Sequence, residues 1–426
     1  MKIKTIKKSY DEVVALPKPE RKKPLRPWFL LRTVIRILAI IDMWQTKFTY
    51  SFPDKDKLPK GPCLILMNHS SFIDLKIVSK IFYPKPYSIV CTSDGFVGKS
   101  WLMRRLGCIP AQKFVTDMPL IRDMKYAIEK KKLSILMYPE ASYSFDGCAT
   151  PLPEKIGGLL KLLKVPVVMI TTHGAFARDP LYNGLRLRKV KVSADVKYLL
   201  SPEDIESKSV PELDAVLSEA FTFDNFKWQY ENNIKIAEPF RAIGLERILY
   251  KCSECGTEGQ MLGKGTGISC LKCGKKHNLN VLGQLESEDG DTRFSHIPDW
   301  FGWERECVRD EIKSGSYKLD TDVSIGMMVN FKAIYMVGEG HLTHDENGFL
   351  LTGCDGKLYY EQKPLSSYSL YSDYFWYEIG DMICIGNRDV LYYCFPKTEG
   401  VVTKTRIAAE ELFKIKSAQT RRFRSK

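Results

Sequence analysis

Short apolar strands alternate with helical segments between residues 61 and 200, and this alternation restricts the fold of the first half of the chain. Runs such as CLILMN (63–68) and LSILMYP (133–139) are typical of strands that are buried on both faces. Helical patterns follow over residues 72–83 and 117–131. This order of elements predicts an α/β domain with a mixed sheet flanked by helices.

Basic residues are concentrated at two ends of the sequence. Residues 1–36 contain eleven Lys and Arg against three Asp and Glu, and residues 414–426 contain six basic residues and no acidic one. These two ends account for the net charge of +13, because the residues between them are nearly neutral in sum. Such ends predict an anionic partner, either a membrane surface or a nucleic acid, and solvated tails are the alternative.

Residues 27–45 form a strongly apolar segment that two arginines interrupt. Arg32 and Arg36 lie one helical turn apart, and the uncharged stretches around them are shorter than the ~20 residues that a spanning helix needs. We interpret the segment as an amphipathic helix in the membrane interface, with Trp28 and Trp44 as anchors near its ends. The alternative is a helix that packs on the folded body.

The charged start of the sequence leads into no apolar run with a small-residue cleavage site, as a signal peptide would. The twelve cysteines are therefore expected to be reduced in the cytosol. Together with the interfacial helix, this predicts a peripheral or monotopic protein on the cytoplasmic face of the cell membrane.

A histidine and an aspartate lie five positions apart at a predicted strand-to-helix bend. The strand ends at Asn68, and the helix is expected to start near Ser70 or Ser71, so His69 can fold over the first turn towards Asp74. A carboxylate orients an imidazole and stabilises its protonated form, which leaves one ring nitrogen to take a proton from a hydroxyl. A network that only caps the helix is the alternative.

Four stretches in order resemble the motifs of one enzyme family. NHSSFID (68–74) resembles the N-H-x4-D motif of the glycerolipid acyltransferases, the 1-acylglycerol-3-phosphate acyltransferase family. LGCIPAQK (106–113) is similar to the second motif, MYPEASYS (137–144) to the third, F-P-E-G-T-R-S, and KVPVVMI (164–170) to the fourth. The resemblance covers roughly residues 27–205.

The resemblance implies transfer of a fatty acyl group to the free hydroxyl of a lysophospholipid in phospholipid biosynthesis. The acyl donor would be a thioester of coenzyme A or acyl carrier protein, so these molecules, the lysophospholipid and an anionic membrane surface are the expected partners. His69 would be the catalytic base and Asp74 its catalytic partner. The implied acceptor-binding residues are Asn68, Lys113, Glu140 and Ser142.

Two departures from the family pattern affect the acceptor site. Tyr143 replaces the arginine of the third motif, and Lys113 replaces the arginine that ends the second. An arginine binds a phosphate through two parallel hydrogen bonds, whereas a lysine offers a point charge. Arg178, in a loop after a strand, is the predicted substitute, and Arg104 and Arg105 are alternatives.

Two Cys-x2-Cys pairs predict a metal site. Cys252 and Cys255 are separated from Cys270 and Cys273 by fourteen residues, and a glycine follows the second cysteine of each pair. Four thiolates suit tetrahedral zinc, so this spacing predicts a zinc ribbon with a closed, structural site. His277 is an alternative ligand, although we expect it to be exposed to solvent.

Turn signals dominate residues 281–413, where strand-like runs flank HDENGF (344–349), CDGK (354–357) and GNRD (386–389). A final helix is expected near 404–416. Several strands followed by one helix fit a pleckstrin-homology-like barrel, which is an argument from fold analogy.

The predicted division has six parts. They are a basic, extended segment (1–26), the interfacial helix (27–45), the acyltransferase domain (46–245), the zinc ribbon (246–280), a β-rich domain (281–413) and a basic tail (414–426). The alternative function is a nucleic-acid-binding or protein-binding zinc ribbon attached to an inactive acyltransferase fold. The modest charge of the ribbon disfavours nucleic acid as a partner.

Overall fold

The chain folds into two compact units, which we call the α/β unit and the β-rich unit. The computed structural model describes residues 2–58, 60–114 and 117–424, with side chains as far as residue 421, so the end of the predicted basic tail lies outside the described residues. The α/β unit comprises residues 21–181 and 185–236, and the β-rich unit comprises 1–20, 182–184 and 237–426. The first segment of the β-rich unit contains strand β1 (Thr5–Lys7) and helix α1 (Tyr10–Val14).

The α/β unit is built on a seven-stranded sheet. Its strands are β2 (Thr49–Ser51), β3 (Leu64–Met67), β4 (Tyr87–Thr92), β5 (Cys108–Ala111), β6 (Ser134–Met137), β7 (Val167–His173) and β8 (Ser193–Leu200). Its helices are α2 (Phe29–Gln45), α3 (Asp74–Phe82), α4 (Ser100–Arg105), α5 (Met118–Glu129), α6 (Ile156–Leu163), α7 (Ala175–Arg178), α8 (Pro202–Ser207), α9 (Val210–Ala220) and α10 (Asn225–Glu231). The strand order is β2-β8-β7-β3-β6-β4-β5, and only the β7–β8 pair is antiparallel, which confirms the predicted mixed sheet.

Strand β3 lies at the centre of this sheet because all four of its residues are apolar and buried. Leu64 is paired with Ile135 of β6 on one side and with Val167 of β7 on the other. Leu64 and Leu66 belong to a core that includes apolar residues of α5, α6 and α9. The parallel strands β3 to β7 end at the same edge of the sheet, where residues 68–71, 138–142 and 173–179 follow them.

The β-rich unit contains a large sheet and a small antiparallel ribbon. The ribbon has the order β12-β11-β10-β9, and the large sheet has the order β16-β15-β14-β13-β19-β18-β17. The ribbon strands are β9 (Met261–Lys264), β10 (Gly267–Cys270), β11 (Lys276–Leu279) and β12 (Leu285–Ser287). The strands of the large sheet are β13 (Leu319–Met328), β14 (Ile334–Asp345), β15 (Gly348–Gly353), β16 (Leu358–Gln362), β17 (Tyr371–Trp376), β18 (Gly380–Gly386) and β19 (Leu391–Pro396). The predicted C-terminal β-rich region is thereby confirmed.

Two long helices, α11 (Ile297–Ser314) and α12 (Val401–Arg424), pack against each other in the β-rich unit. The second is the predicted final helix, which is longer than expected. The first was missed, because the turn-rich pattern after residue 281 predicted strands.

The segment 1–26, which the sequence predicted to be extended, is partly folded. Strand β1 adds to the large sheet in parallel with β14, and Thr5 is opposite Ile334. Helix α1 has a capping box, in which the Ser9 and Glu12 side chains each accept a hydrogen bond from the main-chain N–H of the other residue. A basic composition did not prevent order here because the strand pairs through its main chain.

Candidate active site and metal site

The strand-to-helix bend after β3 brings His69 and Asp74 together. His69 Nδ1 lies 3.0 Å from Asp74 Oδ2. Helix α3 begins at Asp74, three or four residues later than expected. The same carboxylate oxygen accepts main-chain hydrogen bonds from Ser70 and Ser71 at 2.9 and 3.1 Å. Asp74 is thus held by two amides as an acceptor, so Nδ1 of the imidazole donates to it.

The other ring nitrogen of His69 is available for chemistry. The side chain is 24% exposed, and within the described residues Nε2 makes no hydrogen bond. The imidazole lies between the rings of Tyr138 and Tyr143, with centroid distances of 4.2 and 4.3 Å. Burial raises the pKa of the Tyr138 phenol well above its usual value, so this ring is neutral. The two rings restrict the imidazole to one orientation, with Nε2 accessible.

Asn68 connects the end of β3 to β7. Its Oδ1 accepts hydrogen bonds from the Thr172 main-chain N–H at 2.8 Å and from the Thr172 hydroxyl at 3.1 Å. Its Nδ2 donates to the Thr172 carbonyl at 3.3 Å. All these groups are buried, so Asn68 fixes the bend that carries His69.

Glu140 supports the same bend from the end of β6. One carboxylate oxygen accepts the main-chain N–H of His69 at 2.9 Å, and the other accepts the N–H of Thr150 at 2.8 Å and its hydroxyl at 3.2 Å. Burial raises the pKa of Glu140 to about 7, although the hydrogen bonds from Thr150 and His69 oppose the shift. Both oxygens of the predicted acceptor-binding residue are therefore bound by protein donors.

Arg178 lies in a buried network of carboxylates. Its guanidinium is 2.5 Å from Asp42 on α2 and 3.3 Å from Asp179, and Asp179 accepts a hydrogen bond from the Ser71 hydroxyl. Burial raises the pKa of Asp179 to about 6, although Ser71 and Arg178 oppose the shift. The predicted role of Arg178 as a head-group cation does not fit this position, since two carboxylates balance its charge. It braces the loop of Ser71 instead.

The remaining predicted residues lie at the same edge of the sheet. Ser142 is buried after β6, and Lys113 is half-buried after β5, three strands away from β3. Ala141 has a φ of 56°, in the left-handed region that favours glycine, which explains the glycine of the family motif at this position. Sequence reasoning missed Tyr138, Thr150 and Asp179, because each contacts the site from a distant segment.

The four predicted cysteines form one cluster in the β-rich unit. Their sulfur atoms all lie within 4.8 Å of one another, with 3.7 Å between Cys252 and Cys273 and 3.8 Å between Cys255 and Cys270. Tetrahedral zinc with Zn–S bonds of about 2.3 Å needs sulfur atoms roughly 3.8 Å apart. The cluster fits a metal of this kind.

His277 does not belong to this cluster, and the expectation that it is exposed is wrong. Its side chain is buried, and its ring contacts the Trp300 ring edge to face at 5.2 Å. Burial lowers the pKa of His277, so the ring is neutral in the core of the unit. The strand β11 alternates between its two faces and places this residue inwards.

Comparisons with known proteins agree with the motifs. A model of the Acyltransferase family matches residues 50–173, which include His69, Asp74 and Glu140. The chloroplastic 1-acyl-sn-glycerol-3-phosphate acyltransferase BAT2 of Brassica napus is 27% identical over 146 residues, which are 32% of this chain and 42% of the relative. The chain thus spans about two fifths of the length of this curated relative.

A solved structure is also similar. The crystal structure of the 1-acyl-sn-glycerophosphate (LPA) acyltransferase PlsC from Thermotoga maritima aligns with 45% of this chain and 76% of that chain, at 14% identity and a TM-score of 0.38. The family model covers the segment that carries the His69–Asp74 pair. On the strength of that match, residues 50–173 are similar to the Acyltransferase family, and the similar curated protein is a 1-acyl-sn-glycerol-3-phosphate acyltransferase.

Proposed function

We propose that this protein transfers a fatty acyl group from an acyl thioester to the free hydroxyl of a lysophospholipid, as a step in phospholipid biosynthesis. The observation that carries the proposal is the 3.0 Å contact of His69 with Asp74 within the segment that matches the acyltransferase family. The proposed acyl donor is a thioester of coenzyme A or acyl carrier protein, because the carbonyl carbon of a thioester is already activated for attack.

In the proposed reaction, His69 Nε2 takes the proton of the acceptor hydroxyl as the oxygen attacks the thioester carbonyl carbon. The carbon–sulfur bond then breaks, an ester forms, and the imidazolium returns its proton to the thiolate. Asp74 stabilises the imidazolium and keeps Nδ1 protonated. Neither water nor an oxidant is consumed.

The acceptor site is proposed at the sheet edge that carries Lys113 and Ser142. Tyr143 occupies the position of the third-motif arginine, and its ring packs on His69 and on Phe72, with a centroid distance of 5.8 Å to Phe72. A tyrosine offers a hydroxyl and an aromatic face instead of a charge.

The proposed membrane contact is the outer face of α2. No helix among the described residues is long and apolar enough to cross a bilayer. An exposed apolar face of this size supports a location in the membrane interface, and the proposed membrane is the cytoplasmic face of the cell membrane. Its exposed side chains are Phe29, Leu30, Val34, Ile37, Leu38, Ile40, Ile41 and Trp44.

We also propose zinc for the four-cysteine cluster and a pleckstrin-homology-like barrel for the large sheet. Strands β13 to β16 and β17 to β19 form two antiparallel meanders joined through β13 and β19, and α12 follows the last strand. This order supports the barrel assignment. Zinc has no part in the proposed acyl transfer.

The test is incubation of the full chain with labelled acyl-CoA or acyl carrier protein and a panel of lysophospholipids, followed by lipid analysis. Wild-type protein is expected to form a diacyl product with at least one acceptor. His69→Ala is expected to lower turnover by about 10²–10⁴-fold, the usual contribution of a general base.

His341→Ala is the matched control, because His341 also contacts carboxylates, Asp320 at 2.6 Å and Asp322 at 2.9 Å, but lies in the β-rich unit. It is expected to retain wild-type turnover. Turnover of His69→Ala within tenfold of wild type would remove the proposed mechanism. Absence of transfer by the wild type to every acceptor would remove the function.

A further inference from the structure

Arg105 lies between two exposed indoles at the N-terminal end of α2. Its guanidinium carbon is 4.4 Å from the ring centroid of Trp28 and 4.4 Å from that of Trp101. The two indoles are arranged edge to face, with centroids 5.6 Å apart. Trp28 is 45% exposed and Trp101 is 59% exposed, so the three side chains form a surface feature, which we call the tryptophan clamp.

The main chain preforms the clamp. The Trp28 N–H donates a hydrogen bond to the carbonyl of Arg105 at 2.9 Å. Gly107 has a φ of +85°, and a Cβ there would lie 3.1 Å from Pro27, so the chain before α2 packs closely on the chain after α4. A ligand would therefore meet a guanidinium that is already oriented, which reduces the entropy cost of binding.

The charge of the clamp is unbalanced. The Nε of Arg105 is buried without a hydrogen-bond partner, and Arg104 donates only to the main-chain carbonyls of Lys22 and Lys23. Arg32 donates to the carbonyl of Pro84. Across the described part of the chain, no carboxylate pairs with any arginine of the set Arg26, Arg32, Arg36, Arg104 and Arg105.

We propose that the tryptophan clamp binds the phosphate group of an anionic phospholipid in the bilayer. A guanidinium presents a planar fork that matches phosphate oxygens, and indoles favour the head-group level of a membrane. The neighbouring apolar face of α2 would then enter the acyl boundary, while the unpaired arginines complement the anionic surface. The inference rests on the membrane location in the proposed function and is independent of acyl transfer.

The test is co-sedimentation of the full chain with vesicles of phosphatidylcholine alone or mixed with phosphatidylglycerol. Arg105→Gln is expected to weaken binding to the anionic vesicles about fivefold, the effect of one basic residue near such a surface. Arg105→Lys, which keeps the charge but loses the fork, is expected to be intermediate. Trp101→Ala changes an exposed side chain and is expected to weaken binding without changing the unfolding temperature.

Arg122→Gln is the charge-matched control, because Arg122 is exposed on α5, outside the clamp. It is expected to change binding less than twofold. His69→Ala should bind as wild type does, which separates failure of the clamp from failure of the proposed chemistry. Equal binding by Arg105→Gln and Arg122→Gln would overturn the proposal, as would displacement from vesicles by millimolar inorganic phosphate.

Discussion

The buried carboxyl group of Glu140 accepts the main-chain N–H of His69, so its protonation is coupled to the position of His69. Burial raises its pKa to about 7, above the ordinary value of about 4.3 for an unfolded Glu. The stability linked to the protonated form is therefore complete below about pH 4 and is lost as the pH rises through 7. Asp179, whose pKa burial raises to about 6, acts in the same direction.

We predict that the unfolding temperature of the wild type is lower at pH 8 than at pH 6. Glu140→Gln is expected to weaken this dependence. The substitution is also expected to destabilise the fold by about 1–3 kcal/mol, because the amide N–H of the glutamine would face the main-chain N–H of His69 or of Thr150. Glu129→Gln, at a half-exposed residue of α5, is the control and should keep the wild-type dependence. An identical pH response in wild type and Glu140→Gln would contradict the prediction.

Local contacts of the site could be predicted from the sequence, and distant ones could not. His69 and Asp74 are five residues apart, so a strand-to-helix bend is enough to bring them together. The hydrogen bond from Ser71 to Asp179 joins residues 108 positions apart. Tyr138 is stacked on His69 because β6 lies beside β3, and residue spacing carries no trace of that contact.

At the scale of elements, α11 and α12 are joined by a buried ion cluster. Glu411 of α12 accepts from Arg305 at 3.0 Å and from Arg309 at 2.8 Å, both on α11. Burial raises the pKa of Glu411, but hydrogen bonds from Lys414, Arg309 and Arg305 outweigh this effect and lower it to about 2. The stability from this carboxylate is present above about pH 4 and is lost as the pH falls towards 2.

Glu411→Ala is predicted to destabilise the β-rich unit by about 2 kcal/mol or more, because it leaves two arginines with one fewer carboxylate in a buried site. Denaturant unfolding at pH 7 measures the change. Asp310→Ala removes an exposed pair with Lys313 on the same helix and should cost less than about 0.5 kcal/mol. Equal losses in the two variants would refute this account of the cluster.

Helix α11 shows why one element was missed. It carries a proline at the start and a glycine, Gly315, after the end, which are ordinary helix signals. Its buried positions include Trp300, Val308 and Glu304, however, and the buried carboxyl group interrupts the apolar stripe. The α/β unit also has buried carboxyl groups, Asp74 on α3 and Asp123 on α5. Its alternation of apolar runs and helical patterns nevertheless predicted the elements over 63–68, 72–83, 117–131 and 133–139 within a few residues.

For the whole molecule, the proposed zinc site predicts that a chelator changes the stability of the two units differently. Structural zinc contributes its binding free energy to folding, so a chelator is expected to lower the unfolding transition of the β-rich unit and to leave that of the α/β unit unchanged. We predict that metal analysis finds one zinc ion per chain in the wild type and less in Cys255→Ser. Cys307→Ser, outside the cluster, should retain it, and equal loss in both variants would be inconsistent with the site.

The order of structure along the chain was only partly predictable. Composition changes near residue 250 revealed a second folded region, because turn signals replace helical spacing there. The assignment of residues 1–20 to that region depends on pairing between β1 and β14, which are more than three hundred residues apart. Main-chain pairing at such a distance leaves no periodic signal in a three-residue strand.

The ribosome synthesises the chain from the first residue to the last, so β1 is made long before its partner strand β14. At synthesis rates of roughly 5–20 residues per second, Thr5 waits about 20–60 seconds before Ile334 is made. The α/β unit can be synthesised during that interval, while β1 still lacks its partner strand. Assembly of the β-rich unit is therefore completed only after the whole α/β unit has been synthesised.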